Sequence, residues 1–200
     1  MVVELASRGL LRRCFTQNID GLHTMAGVPE ERLVEVHGTM RTARCAACRA
    51  PMELPAFARE VRARVKDVSG TDLEAPSVTT AGGVPCPAGC GREGAWVRPD
   101  VVLFGEPLNP RFAELVAGDV AAARALIVAG TSLRVAPASQ VPSRLAASCA
   151  RLAMGDSLAG AVDAGFVFAH AEGGAGRDVA LEGPIDEGVA KLRAALGWDA

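Results

Sequence analysis

Short apolar runs and longer stretches of helical spacing alternate along most of the chain. Each of these short, largely apolar runs of three to five residues predicts a strand. The runs lie at residues 11–15, 33–36, 101–104, 125–129, 150–154 and 179–181. The runs at 101–104 and 125–129 are continuous, which predicts strands buried on both faces.

Helical spacing of apolar residues predicts five helices between these strands. They lie at residues 1–8, 56–65, 111–123 and 138–147, and along the stripe Ile185, Val189, Leu192 and Leu196. Gly9 and Gly197 suit the ends of the first and last helix, and Pro110 suits a first turn. Pro142 must kink or shorten the fourth helix. Strands that alternate with helices predict an α/β fold with a parallel sheet.

The regular pattern is interrupted between residues 39 and 93. This stretch holds four cysteines, one predicted helix and a segment at 69–85 rich in Ser, Thr, Gly and Pro. Such a composition indicates a small, loop-rich module inserted into the chain. We therefore expect one domain from residues 1–38 and 94–200, and a module from residues 39–93.

Composition and charge narrow the function classes. Half of the 200 residues are apolar, and the net charge of −2 gives no electrostatic reason to expect nucleic-acid binding. No apolar run approaches the roughly 18 residues that span a bilayer, so no membrane association is expected. Glu4 interrupts the start of the chain where a secretion signal needs apolar residues. We expect an intracellular, reducing location, in which cysteines bind metals or stay as thiols.

Four cysteines form two short-spaced pairs that are typical of a zinc site. CAAC supplies Cys45 and Cys48, and CPAGC supplies Cys86 and Cys90. Each pair can occupy one edge of a tetrahedron around Zn²⁺, and four thiolates leave no open position, so the metal is expected to be structural. The alternative is four reduced thiols without metal. The small apolar content of the module disfavours it, because little else would hold the module together.

Two further sites follow predicted strands. Gly130, Thr131 and Ser132 come directly after a predicted strand, at the sheet edge where α/β folds bind ligands. A strand-to-loop turn with a hydroxyl cap would look the same. His37 ends the run at 33–36 and precedes Gly38, which suits a general base next to an open backbone. Histidine ordinarily titrates near about pH 6.5, which suits proton abstraction at neutral pH.

Several motifs follow one another along the chain in an order that indicates one protein family. TQNIDGLH, LVEVHG, the two cysteine pairs, VRPDVVLFGE and GTSLRVAP follow one another along the chain. This series resembles the sirtuins, the NAD-dependent protein-lysine deacylases. The resemblance covers residues 1–147 and returns at 177–198, and FGEPL and the terminal LGW are similar to the yeast and animal deacetylase branch. It implies a Rossmann-like NAD-binding domain with an inserted structural zinc module.

The resemblance also implies residue roles. His37 and Asn18 match catalytic positions. The nicotinamide and ribose part of the NAD pocket matches Gln17, Asn18, Ile19 and Asp20. The loop around the NAD phosphates and adenosine ribose matches Gly130, Thr131, Ser132 and Val135. The acyl-lysine segment, which pairs with the substrate peptide as a strand, matches Val102, Leu103, Phe104 and Gly105. The zinc ligands match Cys45, Cys48, Cys86 and Cys90.

The reaction implied by the resemblance transfers an acyl group from lysine to NAD. The acyl oxygen attacks the anomeric carbon, nicotinamide leaves, and His37 assists attack by a ribose hydroxyl. Water completes the reaction, and the products are nicotinamide, free lysine and O-acyl-ADP-ribose. The implied partners are NAD⁺, structural Zn²⁺ and acyl-lysine proteins or peptides.

Two features depart from the family pattern. Gly155 stands where sirtuins commonly have an Asn that meets the adenosine ribose, with Asp156 beside it. The strand, glycine-rich loop and SGIPDFR-like segment that precede TQNID in the family are not found, so we expect a sheet incomplete at its N-terminus. An alternative function is then a catalytically incompetent, zinc-stabilised binding or regulatory fragment. A zinc ribbon for nucleic acid is disfavoured by the acidic balance.

Overall fold

The computed structural model of the chain describes residues 1–64, 83–168 and 176–198. Most of the predicted loose segment at 69–85 and the last residue of the helix predicted at 56–65 lie outside these ranges. The chain divides into two compact units. Unit 1 contains Met1–Cys14, Val28–Arg32 and Arg111–Ala200, and unit 2 contains Phe15–Gly27 and Leu33–Pro110.

The described ranges contain strands and helices in alternation. The strands are β1 (Cys14–Thr16), β2 (Leu33–Glu35), β3 (Gly38–Cys45), β4 (Pro51–Met52), β5 (Val84–Pro85), β6 (Trp96–Val101), β7 (Ala125–Ala129), β8 (Ala150–Gly155) and β9 (Asp178–Glu182). The α-helices are α1 (Val2–Ser7), α2 (Leu22–Met25), α3 (Leu54–Arg64), α4 (Pro110–Ala122), α5 (Ala159–Asp163) and α6 (Ile185–Ala195). None of these helices combines the length and the apolar character needed to cross a bilayer.

Unit 1 is built on a parallel sheet in the order β7-β8-β9. The register pairs Ala125 with Ala150 and Arg151 with Asp178. A buried cluster from this sheet and the following segments forms its core: Val128, Leu133, Ala153, Ala161 and Phe166. The predicted α/β fold with a parallel sheet is thus confirmed.

Proline and glycine set several element boundaries as predicted. α4 begins at Pro110. Proline has no backbone N–H, and in the first turn of a helix that N–H would have no acceptor within the helix. Gly9 and Gly197 follow the first and last helices with φ of 69° and 67°. The single helix predicted at 138–147 is wrong: two 3₁₀ turns form instead, at Ala138–Gln140 and Pro142–Arg144. Pro142 cannot donate to an α-helical turn, so the helix does not propagate through it.

The strand predicted at 101–104 is also wrong in its position and burial. β6 ends at Val101, and the residues that follow form a turn. Leu103 is 56% exposed and Phe104 is fully exposed. β6 belongs to an antiparallel sheet in unit 2, in the order β4-β3-β6-β5, and not to the parallel sheet. Pairing with distant strands therefore decided where this strand ends.

The antiparallel sheet of unit 2 has a small core of its own. Ala43, Val84 and Val97 are buried in it. Side chains at the start of the module and along α3 pack against them: Met52, Leu54, Phe57 and Val61. Among the described residues, the elements between β3 and β6 therefore bury few apolar side chains.

A buried ion pair joins β8 to β9 in unit 1. Arg151 Nε lies 2.6 Å from Asp178 Oδ1, and both side chains are 2% exposed. Arg151 also donates to the carbonyls of Pro142 and Gly165, and its guanidinium lies over the Phe166 ring. The backbone N–H of Val167 donates to Asp178 Oδ2. The pair thus satisfies two otherwise buried charges and ties two loops to the sheet.

We predict that Asp178→Asn lowers the free energy of unfolding by about 3 kcal/mol, because it leaves Arg151 buried beside a neutral group. Hydrogen bonds from Arg151, against the opposing effect of burial, hold the pKa of Asp178 below its usual value. The stabilisation is therefore present above the pKa of the unfolded chain and is lost as pH falls through the lower folded-state pKa. Urea unfolding at pH 7 and at acidic pH measures both effects.

The exposed Asp163 provides the control. Asp163→Asn should change the free energy of unfolding by less than about 0.5 kcal/mol. Equal stability of wild type and Asp178→Asn at pH 7 would contradict the assignment.

Candidate active site and metal centre

The polar residues after β1 are held in place by backbone hydrogen bonds within unit 2. Thr16 Oγ1 accepts from the N–H of Asn18 at 3.1 Å, and Thr16 O accepts from the N–H of Val36 at 2.9 Å. Ile19 O accepts from the N–H of Met40 at 2.8 Å. The segment from Gln17 to Asp20 therefore lies against the connection between β2 and β3.

Asp20 turns the chain into α2. Its Oδ1 accepts from the N–H of Leu22 at 2.9 Å, and Gly21 has a φ of 73°. The side chains of Asn18 and Asp20 are both exposed. Asparagine amides and carboxylates at such a turn suit contacts with the hydroxyls of a sugar.

His37 lies directly beside this segment. Its Nδ1 is 3.0 Å from the backbone oxygen of Gln17, and its ring is half-buried. A carbonyl oxygen can only accept, so Nδ1 carries the proton in this hydrogen bond. Nε2 is then the unprotonated nitrogen, with a lone pair able to take a proton. In the neutral ring, this hydrogen bond fixes the tautomer of His37 and leaves Nε2 as a proton acceptor.

Gly38 permits the close approach of β3 to β6. It has a φ of 74°, and a Cβ at this position would lie 2.0 Å from Asp100 O. A side chain there would clash with backbone and would be strained. The N–H of Val102 donates to His37 O at 2.9 Å. His37 is thus joined on one side to Gln17 and on the other to the segment 102–105.

The residues predicted to surround the NAD phosphates and the adenosine ribose lie in unit 1, at the carboxyl edge of the parallel sheet. Gly130 has a φ of 62° and donates its N–H to Met154 O at 3.1 Å. Thr131 Oγ1 accepts from the N–H of Leu133 at 3.1 Å. Gly160 contacts the backbone of Ser132 so closely that a Cβ would lie 1.7 Å from its carbonyl oxygen. Val135 is 45% exposed, on the loop that follows.

Gly155 ends β8 next to this loop. Its φ is 154°, a conformation that L-residues with a side chain rarely adopt, and a Cβ would lie 3.7 Å from Gly130 N. A side chain at this position would therefore be strained by the backbone conformation. Asp156, which follows it, is exposed.

The four cysteines of unit 2 come together as predicted. Their Sγ atoms all lie within 4.8 Å of one another, and Cys48 Sγ is 3.5 Å from Cys86 Sγ. Zn–S bonds of about 2.3 Å in a tetrahedron place sulfur atoms roughly 3.8 Å apart. The cluster is therefore positioned to hold a zinc ion, and four thiolates would leave no position open for catalysis.

The pKa values of two thiols in the cluster are shifted in opposite directions. A hydrogen bond from the backbone of Cys90 and, against burial, one from the Cys48 thiol lower the pKa of Cys86 to about 6. For Cys48, the lowering effect of a backbone hydrogen bond from Ala50 is outweighed by the neighbouring thiols, which raise its pKa to about 11. A metal ion must displace these protons, so its binding depends on pH.

One functional contact carries no signal in the sequence. The partner of His37 is the main-chain oxygen of Gln17, 20 residues earlier. A backbone acceptor leaves no trace in residue type. The sequence indicated Gln17 for a different reason, as a polar side chain of the NAD pocket, and that assignment stays a prediction.

Comparisons with known proteins agree with this geometry. The model of the Sir2 family matches residues 1–137. The chain is 33% identical over 203 residues to the NAD-dependent protein deacetylase sirtuin-2 of Danio rerio, covering 97% of this chain and 48% of the relative. It is 36% identical over 195 residues to sirtuin-3 of Mus musculus, covering 97% and 49%. The chain thus spans about half the length of these curated relatives.

A solved structure shares the fold. A chain described under "The Structural basis for Sirtuin Substrate affinity" superposes with a TM-score of 0.72 at 21% identity. The match covers 98% of this chain and 69% of that one. With the family model extending over more than half of the residues, the chain belongs to the Sir2 family.

Proposed function

We propose that the protein carrying this chain is an NAD-dependent protein-lysine deacylase. The observation that carries the proposal is the hydrogen bond of His37 Nδ1 to Gln17 O, which leaves Nε2 free to act as a base. The curated relatives with this sequence pattern are named NAD-dependent protein deacetylases. The substrates would be proteins or peptides with acylated lysine, and the reduced cysteines suit an intracellular enzyme.

The residues that we assign to NAD form two groups. The residues we assign to the nicotinamide and its ribose are Gln17, Asn18, Ile19 and Asp20. Those assigned to the phosphates and the adenosine ribose are Gly130, Thr131, Ser132 and Val135. Hydroxyls, amides and backbone N–H groups suit sugar and phosphate oxygens. Gly160 lies so close to Ser132 that a Cβ would lie 1.7 Å from its carbonyl oxygen, so the backbone of the loop is closely packed there.

His37 would accept a proton from a ribose hydroxyl at Nε2. The Gln17 carbonyl holds the ring in this tautomer and also stabilises the imidazolium that forms. We assign Asn18, which follows Gln17, to orienting the groups that react there. NAD supplies the leaving nicotinamide and the ADP-ribosyl acceptor for the acyl group.

The acyl-lysine peptide would bind along Val102, Leu103, Phe104 and Gly105. This segment begins with the N–H of Val102 bonded to His37 O, so a bound peptide would lie beside the base. Zn²⁺ on Cys45, Cys48, Cys86 and Cys90 would stabilise a module of residues 39–93, inserted into the NAD-binding domain of residues 1–38 and 94–200.

The test is turnover of an acetyl-lysine peptide by the full-length product of the reading frame that contains this chain. We expect loss of the acetyl group and release of nicotinamide only when NAD⁺ is present. NADH is the matched control, because its neutral dihydronicotinamide is a poor leaving group. Acetyl loss at equal rates with and without NAD⁺, or no acetyl loss at all, would refute the proposal.

A further inference from the structure

Two charged residues share one face of β6. Arg98 and Asp100 are two positions apart on the strand, so their side chains leave on the same side. Arg98 is also paired directly opposite Arg44 of β3. Like charges at opposed positions of antiparallel strands destabilise a sheet unless each has a counter-ion.

These two arginines pair with different carboxylates, and the carboxylate of Arg44 is shared with Arg49. Arg44 Nε lies 3.0 Å from Asp100 Oδ2. Arg98 Nη2 lies 2.7 Å from Glu106 Oε1 and 2.8 Å from Glu106 Oε2. Arg98 is therefore directed away from Arg44, along β6 and toward the turn that follows the strand.

Glu106 stabilises that turn through hydrogen bonds of both its side chain and its backbone. Its Oε2 accepts from the N–H of Leu103 at 2.9 Å, and its own N–H donates to Leu103 O at 3.0 Å. Both backbone groups of Leu103 are thus occupied by one residue. On the other side, the N–H of Val102 is bound to His37 O.

Packing contributes little to holding this turn. Leu103 is 56% exposed and Phe104 is fully exposed, so hydrogen bonds must fix the backbone. Hydrogen bonds from Arg98 and from the N–H of Leu103 lower the pKa of Glu106. The residue is therefore a carboxylate at neutral pH, the form that accepts both hydrogen bonds best.

We propose that Glu106, oriented by Arg98, is a positioning residue that holds residues 102–105 in the conformation that receives the acyl-lysine peptide. The inference rests on the proposed function for the identity of the ligand. The contacts that carry it are the Arg98–Glu106 ion pair and the bond from the N–H of Leu103. Loss of the carboxylate weakens peptide binding and leaves NAD binding and the chemical step in place.

The test compares Glu106→Ala with wild type in the full-length protein. We expect the KM for an acetyl-lysine peptide to rise about tenfold, as for loss of a hydrogen bond to a charged group. The KM for NAD⁺ and kcat should stay within about threefold. Hydrogen exchange at the Leu103 amide should accelerate by a similar factor of about ten, because the acceptor of that N–H is gone.

Conservative variants distinguish an effect on the conformation of residues 102–105 from an effect on folding. Glu106→Gln keeps an acceptor for the N–H of Leu103 and loses the charge, so an intermediate KM is expected. Arg98→Lys should restore most of the affinity that Arg98→Met loses. The matched control is Glu60→Ala, which removes a carboxylate paired with Arg64 at 2.6 Å on the exposed helix α3 and should leave the KM for the peptide unchanged.

Each outcome decides the inference. An unchanged KM and unchanged Leu103 exchange in Glu106→Ala, or equal losses in Glu60→Ala, overturn it. If wild type binds the peptide in calorimetry without turning it over, the proposed function fails, and a tenfold weaker affinity of Glu106→Ala still supports the positioning role. If wild type neither binds nor deacylates the peptide, both the function and the inference are overturned.

Discussion

His37→Ala is expected to lower kcat for NAD-dependent deacylation by about 10³-fold, within the range of a lost general base. The reason is specific: Nε2 is the nitrogen left unprotonated when Nδ1 donates to Gln17 O. NAD affinity should stay within about threefold, because the side chains assigned to its binding remain. Formation of deacylated peptide, which follows the step assigned to His37, measures the rate, and calorimetry measures the affinity.

Two variants control this prediction. His37→Asn keeps an amide N–H near the position of Nδ1, where it can still donate to Gln17 O, but it has no basic nitrogen. It should therefore be as inactive as His37→Ala. His23→Ala changes another histidine of unit 2 and should leave kcat within about twofold. Activity above about a tenth of wild type in His37→Asn would exclude His37 as the base.

Cys86→Ser is expected to release the metal and unfold the small antiparallel sheet of unit 2. Zinc binding to four-ligand peptides stabilises them by about 10–16 kcal/mol, far more than a core of Ala43, Val84 and Val97 supplies. Metal content measured by mass spectrometry should fall from about one zinc per chain to none. A strong chelator should have the same effect on the wild type, and circular dichroism should report the same loss of structure.

Cys14→Ser is the control for the metal centre. Cys14 lies outside the four-thiol cluster, and burial raises its pKa to about 11, so it remains a neutral thiol. Its substitution should leave the zinc content unchanged. Full zinc occupancy in Cys86→Ser, or a wild type purified without zinc, would contradict the assignment.

Local sequence signals were sufficient for much of unit 1. The runs at 125–129, 150–154 and 179–181 became β7, β8 and β9 because parallel strands of an α/β sheet carry their signal within the run itself. α6 follows its apolar stripe for the same reason. The strand predicted at 101–104 is wrong, because an apolar run does not indicate which sheet the strand joins. β6 pairs with β3, and the last pair in that register is Gly38 with Val101, where the strand ends.

In the candidate site, too, some features could be predicted from the sequence and others could not. Cysteine spacing predicted the metal centre, because thiolates are ligands that zinc prefers. The sequence also indicated His37 as a base, and that role stays a prediction. The acceptor at Gln17 is a backbone atom, and the opposition of Arg44 and Arg98 exists only through the register of β3 and β6. The replacement of the usual Asn by Gly155 became explicable only with its φ of 154°.

The most direct measurement of the central claim is the stoichiometry of the reaction products. The full-length protein, NAD⁺ and an acetyl-lysine peptide should give nicotinamide, deacetylated peptide and O-acetyl-ADP-ribose in equal amounts, resolved by mass spectrometry. This result requires transfer of the acyl group to the ribose, the step in which His37 is assigned as base. Release of free acetate without nicotinamide, or of nicotinamide without deacetylated peptide, would contradict the account.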